Sequence, residues 1–454
     1  MKVLLLNPPA SKRYIRDYYC GEQSKGRYVF PPTDLLVLSA RLRDGHEIQV
    51  LDAIAEGLGI PAVLDRVRSL RPDAIVSLAS SASWVEDAAC FDAIRRVHDA
   101  PILLTGDLPR AAPEWVLSRH EAVFGAILDF TDCDLDPFLR GERGALVSLW
   151  TRDSRPATAP RSRRVSYGVP RHDLFPIRRY HHPLLSRHPY TVLLSDFGCP
   201  HRCIFCAYER LPHKTRDLAE VAEELRFIAR LGVRALVIND ASFGAIRPRA
   251  IELCGLLASA PTRFRWLCDM RADDADPELL ERMKQAGCEC VMFGVETPTA
   301  AVLSSVRKSL ELDQVRRAFS TARRIGLRTL AHFILGLDGE TFDSQLRLIE
   351  FALELDPDYA SFGIAVPTWG TTFRDDLVAR GVIGPDEVGF DVSAERPLWT
   401  SKFLSPSDVE RLRRLAIRRF YFRASYLWRR LAAVRSAYEA RNLVVQALHL
   451  AGIL

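Results

Sequence analysis

The sequence predicts an α/β protein made of two parallel-sheet units and a helical end. A doubly wound, Rossmann-like sheet comes first, an open (β/α)6 partial TIM barrel follows, and a C-terminal helical tail closes the chain. Three observations predict this. Residues 1–130 alternate short apolar runs with amphipathic stretches of about ten residues. Residues 191–380 repeat a strand–helix unit six times. Residues 405–454 set Arg-Arg pairs among Leu412, Leu415, Phe420, Leu427 and Leu431, which reads as one or two helices starting at the Ser405-Pro406-Ser407-Asp408 cap. The chain then divides into domains 1–140 and 186–385, a connector at 141–185 and an extension at 386–454.

In the first unit, strands are expected at 3–6, 47–51, 73–78, 101–105 and 123–128, with helices at 32–43, 62–70 and 85–97. Asn7-Pro8-Pro9 closes the first strand, and Asp44-Gly45 stops the first helix. Ligands on such sheets bind beyond the carboxyl ends of the strands, here 7–10, 52–53, 80–83 and 106–107. Residues 129–136 are acidic, and 152–164 are rich in Arg, Pro and Ser without a hydrophobic period, as a loop or mobile linker is. Order restarts at Asp173-Leu174-Phe175-Pro176. His181, His182 and His188 form a cluster of metal-ligand type, but loop histidines in a polar segment are usually solvated. Barrel strands are expected at 191–195, 235–239, 264–269, 289–295, 328–335 and 359–365. Helices fall between them at 218–231, 249–258, 277–286, 312–325 and 342–355, the first capped by Asp217 and ended by Gly232. Chemistry in such barrels sits at the mouth formed by the strand carboxyl ends.

Composition narrows the class. A chain of 454 residues, 48% apolar, can bury two cores. Its net charge of +5 is uneven: residues 405–454 hold ten Arg against three acids, so the rest of the chain is slightly acidic. The body lacks a basic patch with interleaved aromatics, so no nucleic-acid partner is expected. Ten cysteines occur, and Cys20, Cys90, Cys133, Cys254, Cys268, Cys288 and Cys290 are scattered as reduced core residues are. The first nine residues are too short and Pro-broken for a signal peptide, and no apolar run approaches the ~20 residues of a spanning helix. A cytoplasmic location is expected.

The remaining three cysteines lie together in Ser195-Asp196-Phe197-Gly198-Cys199-Pro200-His201-Arg202-Cys203-Ile204-Phe205-Cys206, directly after the first barrel strand and hence at the mouth. Three thiolates on one loop can converge on a metal centre, yet structural zinc and four-iron clusters normally take four protein ligands. Either His201 or His213 completes a zinc site, as in a non-enzymatic zinc-binding module, or one metal position stays open. The C-x-x-x-C-x-x-C spacing, with Phe205 before the last cysteine, resembles the radical S-adenosylmethionine (SAM) superfamily. The resemblance implies a 4Fe-4S cluster on Cys199, Cys203 and Cys206, SAM chelated by the open iron, and an electron donor that drives reductive cleavage of SAM to a deoxyadenosyl radical.

Later phrases extend the resemblance over residues 173–370. Asn239-Asp240 ends the second strand, where Asp240 or Asn239 either meets the SAM amino group or caps the next turn. Arg271 ends the third strand and either pairs with the SAM carboxylate or makes a salt bridge. On the fourth strand Cys290, Met292, Gly294 and Glu296 share the inward face. Phe293-Gly294-Val295-Glu296-Thr297 is similar to the family phrase whose carboxylate contacts SAM, with Gly294 giving room. Val306-Arg307-Lys308 resembles the basic phrase that follows. Gly336-Leu337-Asp338-Gly339-Glu340 resembles the segment that passes the adenine at Gly336 and charges the next helix with Glu340.

Residues 1–130 look like the cobalamin-binding domain ahead of many radical SAM modules, on the opening strand, Pro31-Pro32-x-x-Leu35-Leu36, and Arg43-Asp44-Gly45-His46-Glu47 leading to Leu51-Asp52-Ala53. The axial-histidine phrase D-x-H-x-x-G is absent, and Gly106-Asp107-Leu108-Pro109 stands where relatives often show Gly-Gly-x-His. Two readings stay open: a cobalamin site, implying C-methylation of a small or lipid-like substrate, or a degenerate domain that shapes the site for radical oxidation, cyclisation or rearrangement. The tail is either an amphipathic helix with a solvated basic face or a peripheral contact with an anionic partner such as a membrane surface.

Overall fold

The computed structural model describes residues 1–18, 21–24, 28–42, 44–132, 134–142, 145–157, 162–394, 397–434 and 437–450. Cys20, Arg43, Cys133, linker residues 158–161 and the tail's last four residues lie outside the described residues.

The N-terminal strands are β1 (Lys2–Asn7), β2 (Tyr14–Arg16), β3 (Gly21–Gln23), β4 (Glu47–Asp52), β5 (Ala74–Leu78), β6 (Ile102–Thr105), β7 (Val123–Ile127) and β8 (Leu149–Thr151). Six of them form one sheet in the order β4-β1-β5-β6-β7-β8, parallel except for β8. The parallel part has the 2-1-3-4-5 order of flavodoxin-like folds. Its centre is apolar without alternation because both faces are covered. Val3 and Leu5 of β1 share a cluster with the helix Thr33–Arg41, whereas Leu4 and Leu6 pack with the helices Ile60–Leu70 and Trp84–Arg95. β2 and β3 are a separate hairpin. β8 lies in the connector, just ahead of the 152–164 stretch expected to be loop, and no strand was expected there. Three residues are too few to show a strand period, and its pairing with β7 is a tertiary event.

The second unit adds β9 (Arg164–Val165), β10 (Tyr190–Leu193), β11 (Asp196–Phe197), β12 (Lys214–Arg216), β13 (Ala235–Ile238), β14 (Arg265–Met270), β15 (Cys288–Glu296), β16 (Arg328–Leu335) and β17 (Tyr359–Ile364). A parallel sheet runs β10-β13-β14-β15-β16-β17 in sequence order, the six-unit barrel that the repeats predict. Asp217 caps the first helix by accepting from the Ala219 N–H at 2.8 Å. Val192, Val237, Leu267 and Cys290, which alternate inward on their strands, belong to the same apolar cluster as Val3 and Leu5, with Phe175, Tyr180 and Leu185 of the connector between. The two units therefore share a core.

The tail is three helices, Pro406–Tyr421, Ala424–Ala432 and Ala437–Leu450, where one or two were expected. The first break follows Tyr421, where the Arg423 guanidinium caps the Phe420 carbonyl at 2.9 Å. The first tail helix covers the edge of β17. Its Tyr421 hydroxyl accepts from the Ala360 N–H at 3.0 Å and donates to the Ala360 carbonyl at 2.6 Å, and Arg413 donates to the Phe362 carbonyl at 3.0 Å. An open barrel leaves such edge groups unpaired, and these side chains satisfy them. Leu412 and Phe420 are buried, whereas Leu427 and Leu431 of the second helix are exposed.

Arg216 fastens the connector to the barrel. It is buried, lies 4.2 Å over the Tyr167 ring, pairs with Glu224, and donates to the Gly168 carbonyl at 2.6 Å. Glu224 also accepts from His172 Nε2 at 2.8 Å. Burial alone would raise the Glu224 carboxyl, but Arg216 and then His172 outweigh it and hold it below its ordinary 4.5. A carboxylate so depressed contributes stability above its unfolded pKa and loses it as pH falls through the folded value. Arg216→Ala should cost about 3–5 kcal/mol in urea unfolding at neutral pH, because Glu224 is left buried without its cation. Glu224→Gln should flatten the loss of stability between about pH 5 and pH 3.

Candidate active site

The cysteine loop is an excursion closed at its base. β11 and β12 pair antiparallel on either side of it, so residues 198–213 leave and return at one place. Gly198 has φ +75°, and a Cβ there would sit 2.0 Å from the Pro212 carbonyl oxygen, so only glycine lets the chain turn here. Inside the loop, the Cys203 carbonyl accepts from the Cys206 N–H at 3.1 Å, and the Cys206 carbonyl accepts from the Glu209 N–H at 2.9 Å. Between these turns, the Ile204 N–H donates to the Val306 carbonyl at 3.1 Å, and its carbonyl accepts from the Phe373 N–H at 3.0 Å. Glu209 accepts from the Thr372 N–H at 2.8 Å and its hydroxyl at 2.7 Å. A loop without regular structure is thus tied to the end of the helix Ala300–Ser305 and the start of the helix Thr372–Ala379.

Asp240 holds the start of this loop. Its Oδ1 accepts from the N–H groups of Ser195 at 2.7 Å and Asp196 at 2.9 Å, and its Oδ2 from the Ser195 hydroxyl. Burial, then the charge of Asp196, pushes it up to about 7. Asn239 donates instead to Asp17 at 3.0 Å and Thr33 at 2.9 Å, across to the N-terminal unit.

Cys199, Cys203, Cys206 and Phe205 line one cavity of about 1710 Å³. The three thiols are unpaired and half-buried. Burial raises all three, Cys206 to about 12. Cys203 raises Cys199 further, Cys203 and Cys199 raise Cys206, and Glu296 raises Cys203. Lys308 and Arg271 act in the opposite direction on Cys199 and Cys203. Thiols that oppose one another's ionisation suit a polynuclear cation that replaces their protons. Among the described residues no three His, Cys, Asp or Glu side chains converge as ligands of a single ion. The sulfurs of a four-iron cluster bind separate irons and need no such convergence. The donor set fits a cluster with three protein ligands.

Met292, Gly294 and Glu296 of β15 face this cavity, as alternation predicts, and Cys288 and Cys290 are buried. The register shifts between Gly294 and Glu296, and Glu296 has φ +63°. Its Oε1 pairs with Lys308 Nζ at 2.5 Å, both side chains being buried. Arg271 lines the cavity with its guanidinium held at 2.9 and 2.8 Å by Asp273 and at 3.0 Å by the Ser309 carbonyl. Gly336 is not among the lining residues. Its φ is +78°, and a Cβ there would meet Val409 of the first tail helix at 2.9 Å, so this glycine serves helix packing. Glu340 is fully buried and accepts from the hydroxyls of Thr297 at 2.5 Å and Thr299 at 3.2 Å. It joins two loops, and Thr341 caps the next helix. His182 is not solvated. It is buried in the cavity wall and held down to about 3 by burial, then by His181.

Sequence reasoning missed His332 and Asp269. Both line the cavity from neighbouring positions on β16 and β14, with Nε2 and Oδ1 3.5 Å apart. Alternation along β16, with Leu330 and His332 on one face, was the available signal. It missed also the walls from distant segments: the hairpin at Tyr14 and Glu22, the loop at Asp391–Ala394, and the first tail helix at Arg413, Ile417 and Arg418. The volume exceeds the roughly 300–1,000 Å³ of ordinary small-molecule pockets, which leaves room for a large cofactor beside SAM and a substrate.

The Radical SAM superfamily model matches residues 196–352. An uncharacterized methyltransferase of Pyrococcus horikoshii is 24% identical over 463 residues, covering 98% of this chain and 96% of its own. The hopanoid C-2 methylase of Rhodopseudomonas palustris is 25% identical over 339 residues, 71% of this chain and 59% of the methylase. Two solved structures share the fold. The radical SAM methyltransferase TsrM of Kitasatospora setae, with cobalamin and a 4Fe-4S cluster bound, has a TM-score of 0.68 at 19% identity, over 90% of this chain and 84% of TsrM. The cobalamin-dependent SAM radical enzyme OxsB, with aqua-cobalamin and SAM bound, has a TM-score of 0.70 at 14% identity, over 99% of this chain and 71% of OxsB.

A Cβ at position 294 would lie 2.6 Å from Lys308 Nζ and 2.7 Å from Glu296 Oε1, whereas one at Gly363 would meet nothing closer than 3.6 Å. Gly294→Ala should therefore cost about 1–3 kcal/mol in urea unfolding, and Gly363→Ala should stay near the parent value.

Proposed function

We propose that this chain, whose residues 196–352 are a radical SAM domain behind a flavodoxin-like sheet, is an enzyme that methylates an unactivated carbon of a small or lipid-like substrate, with a 4Fe-4S cluster, SAM and cobalamin as cofactors. The observation that carries this reading is the placement of Cys199, Cys203 and Cys206 on one tied loop at the barrel mouth, facing a cavity that the N-terminal hairpin and the tail also wall. The printed functions of the relatives, a hopanoid C-2 methylase and the methyltransferase TsrM among them, support it. When bound, the cluster and SAM supply the radical and cobalamin supplies the methyl group.

The chain's own residues hold and orient. Cys199, Cys203 and Cys206 ligate the cluster. Phe205 packs beside it, and Asp240 fixes the loop entry. Glu296 and Arg271, held by Lys308 and Asp273, are the charged groups of the cavity wall that would meet the amino and carboxylate groups of SAM. Gly294 keeps the wall open. His332 and Asp269, 3.5 Å apart, are polar groups that line the cavity together with Met292 and Leu330. Residues 1–140 provide the cobalamin face, 141–185 the connector, 186–385 the barrel and 386–454 the cover. A cytoplasmic enzyme with a reducing protein partner fits this chemistry, and no helix among the described residues is long and apolar enough to cross a membrane. Peripheral membrane contact through the tail is part of the proposal. Trp428 and Leu431 are 74% and 64% exposed, beside Leu427, on a helix rich in Arg.

Anaerobic reconstitution with iron and sulfide should give a brown protein that forms deoxyadenosine from SAM with a reductant. Cys203→Ala should lose both the visible absorbance and the product, and unchanged spectra would overturn the cluster assignment. Cobalamin titrated into the parent should give a saturable absorbance change. Flotation with vesicles of phosphatidylcholine and phosphatidylserine should recover the parent protein and several-fold less of Trp428→Ala.

A further inference from the structure

A second cavity, of about 720 Å³, adjoins the first. Lys12 lines both, and His181 lines the second while His182, Pro183 and Leu184 line the first. Its walls come from five separate segments: the turn after β1, Val29, the short helix and turn at 53–59 after β4, the connector from Arg178 to His188, and the tail helix Ala437–Leu450. It thus lies at the carboxyl ends of two adjacent parallel strands, the end of a doubly wound sheet where ligands bind.

Lys12, Arg13, Arg178, Arg179 and Arg441 line this cavity, and Glu56 is the one carboxylate among the described residues that do. Arg179 donates to the backbone carbonyl of Glu56 at 3.3 Å. His188, also in the wall, is held below its ordinary value by burial and further by the charges of Arg178 and Arg441, so it adds no charge near neutral pH. Leaving Arg13 aside, Lys12, Arg178, Arg179 and Arg441 still set four cations against one carboxylate among the described residues, and a bound anion reduces the repulsion between them. A single carboxylate would leave most of the charge unmatched, whereas a phosphate ester or diphosphate carries several acceptor oxygens that guanidinium forks bind two at a time. Gly59, the N-cap of the eleven-residue helix Ile60–Leu70, lines the same cavity and adds the positive end of a helix.

We infer that this cavity is a binding site for a phosphate or diphosphate group whose parent molecule extends past Lys12 into the cysteine cavity. The molecule's reacting end rests on the function proposed above, but the anion site does not. Two sources share this chemistry: a phosphorylated substrate, and the phosphodiester in the nucleotide tail of cobalamin. A concave site built from five segments suits a discrete oxyanion better than a flat lipid surface.

Inorganic pyrophosphate titrated calorimetrically into the reconstituted full chain at physiological ionic strength tests the site. Saturable binding is expected, weakened tenfold or more in the double variant Arg178→Ala, Arg179→Ala and in Lys12→Ala. It should be unchanged in Arg68→Ala, an exposed arginine paired with Asp65 on the helix Ile60–Leu70. Equal affinity in parent and double variant, with both melting at the same temperature, would overturn the inference. So would binding to phosphatidylserine vesicles that is lost in the double variant while pyrophosphate neither binds nor competes. The source is read by repeating the titration of cobalamin and of cobinamide, which lacks the nucleotide phosphate, with pyrophosphate present. Weaker cobalamin binding with unchanged cobinamide binding assigns the site to the cofactor, and no change in either assigns it to the substrate. None of these readouts needs SAM cleavage, so a protein that makes no deoxyadenosine can still show the site.

Discussion

A stretch of chain with no helix or strand of its own has to present three thiols to one cavity, and hydrogen bonds from its middle to the end of one helix and the start of another achieve this. Ile204, between Cys203 and Cys206, bonds to Val306 on one side and Phe373 on the other. Its ends are closed by the β11–β12 pair, by Asp240 and by the turn that only Gly198 permits. Each tie is a backbone or carboxylate bond, so the loop's shape depends little on the cysteine side chains themselves. Thiols on a loop held this way keep their place without a bound group, which lowers the ordering cost of any binding there.

The same economy of contacts builds the cavity. A six-stranded open barrel leaves the edge of β17 exposed, and the first tail helix covers it through Tyr421 and Arg413. Covering the edge brings Arg413, Ile417 and Arg418 to the cavity wall. The N-terminal sheet joins by a shared apolar cluster, and Asn239, directly before Asp240, bonds to Asp17 and Thr33 of that unit. Tail, barrel and N-terminal unit are therefore fixed relative to one another by the groups that also bound the reaction space.

Charge is handled differently at the two cavities. At the barrel mouth each buried cation has its anion: Lys308 with Glu296, Arg271 with Asp273. Leaving either partner alone would cost several kcal/mol. In the second cavity cations outnumber anions and stay open to water, where repulsion is tolerable and a polyvalent anion is favoured.

The sequence by itself determined the order of strands and helices, the six-unit barrel, the place of the cysteines and the inward face of β15. All are written locally, as a period of two or 3.6 or as spacing within one loop. Tertiary structure alone decided what each polar side chain meets. It gave Glu296 to Lys308 and turned Gly336 toward Val409. It spent both oxygens of Asp240 on the loop, set His332 against Asp269, and gathered basic side chains from three segments around one cavity. Those pairings join residues from 12 to more than 400 positions apart in the chain, and no local period carries that information.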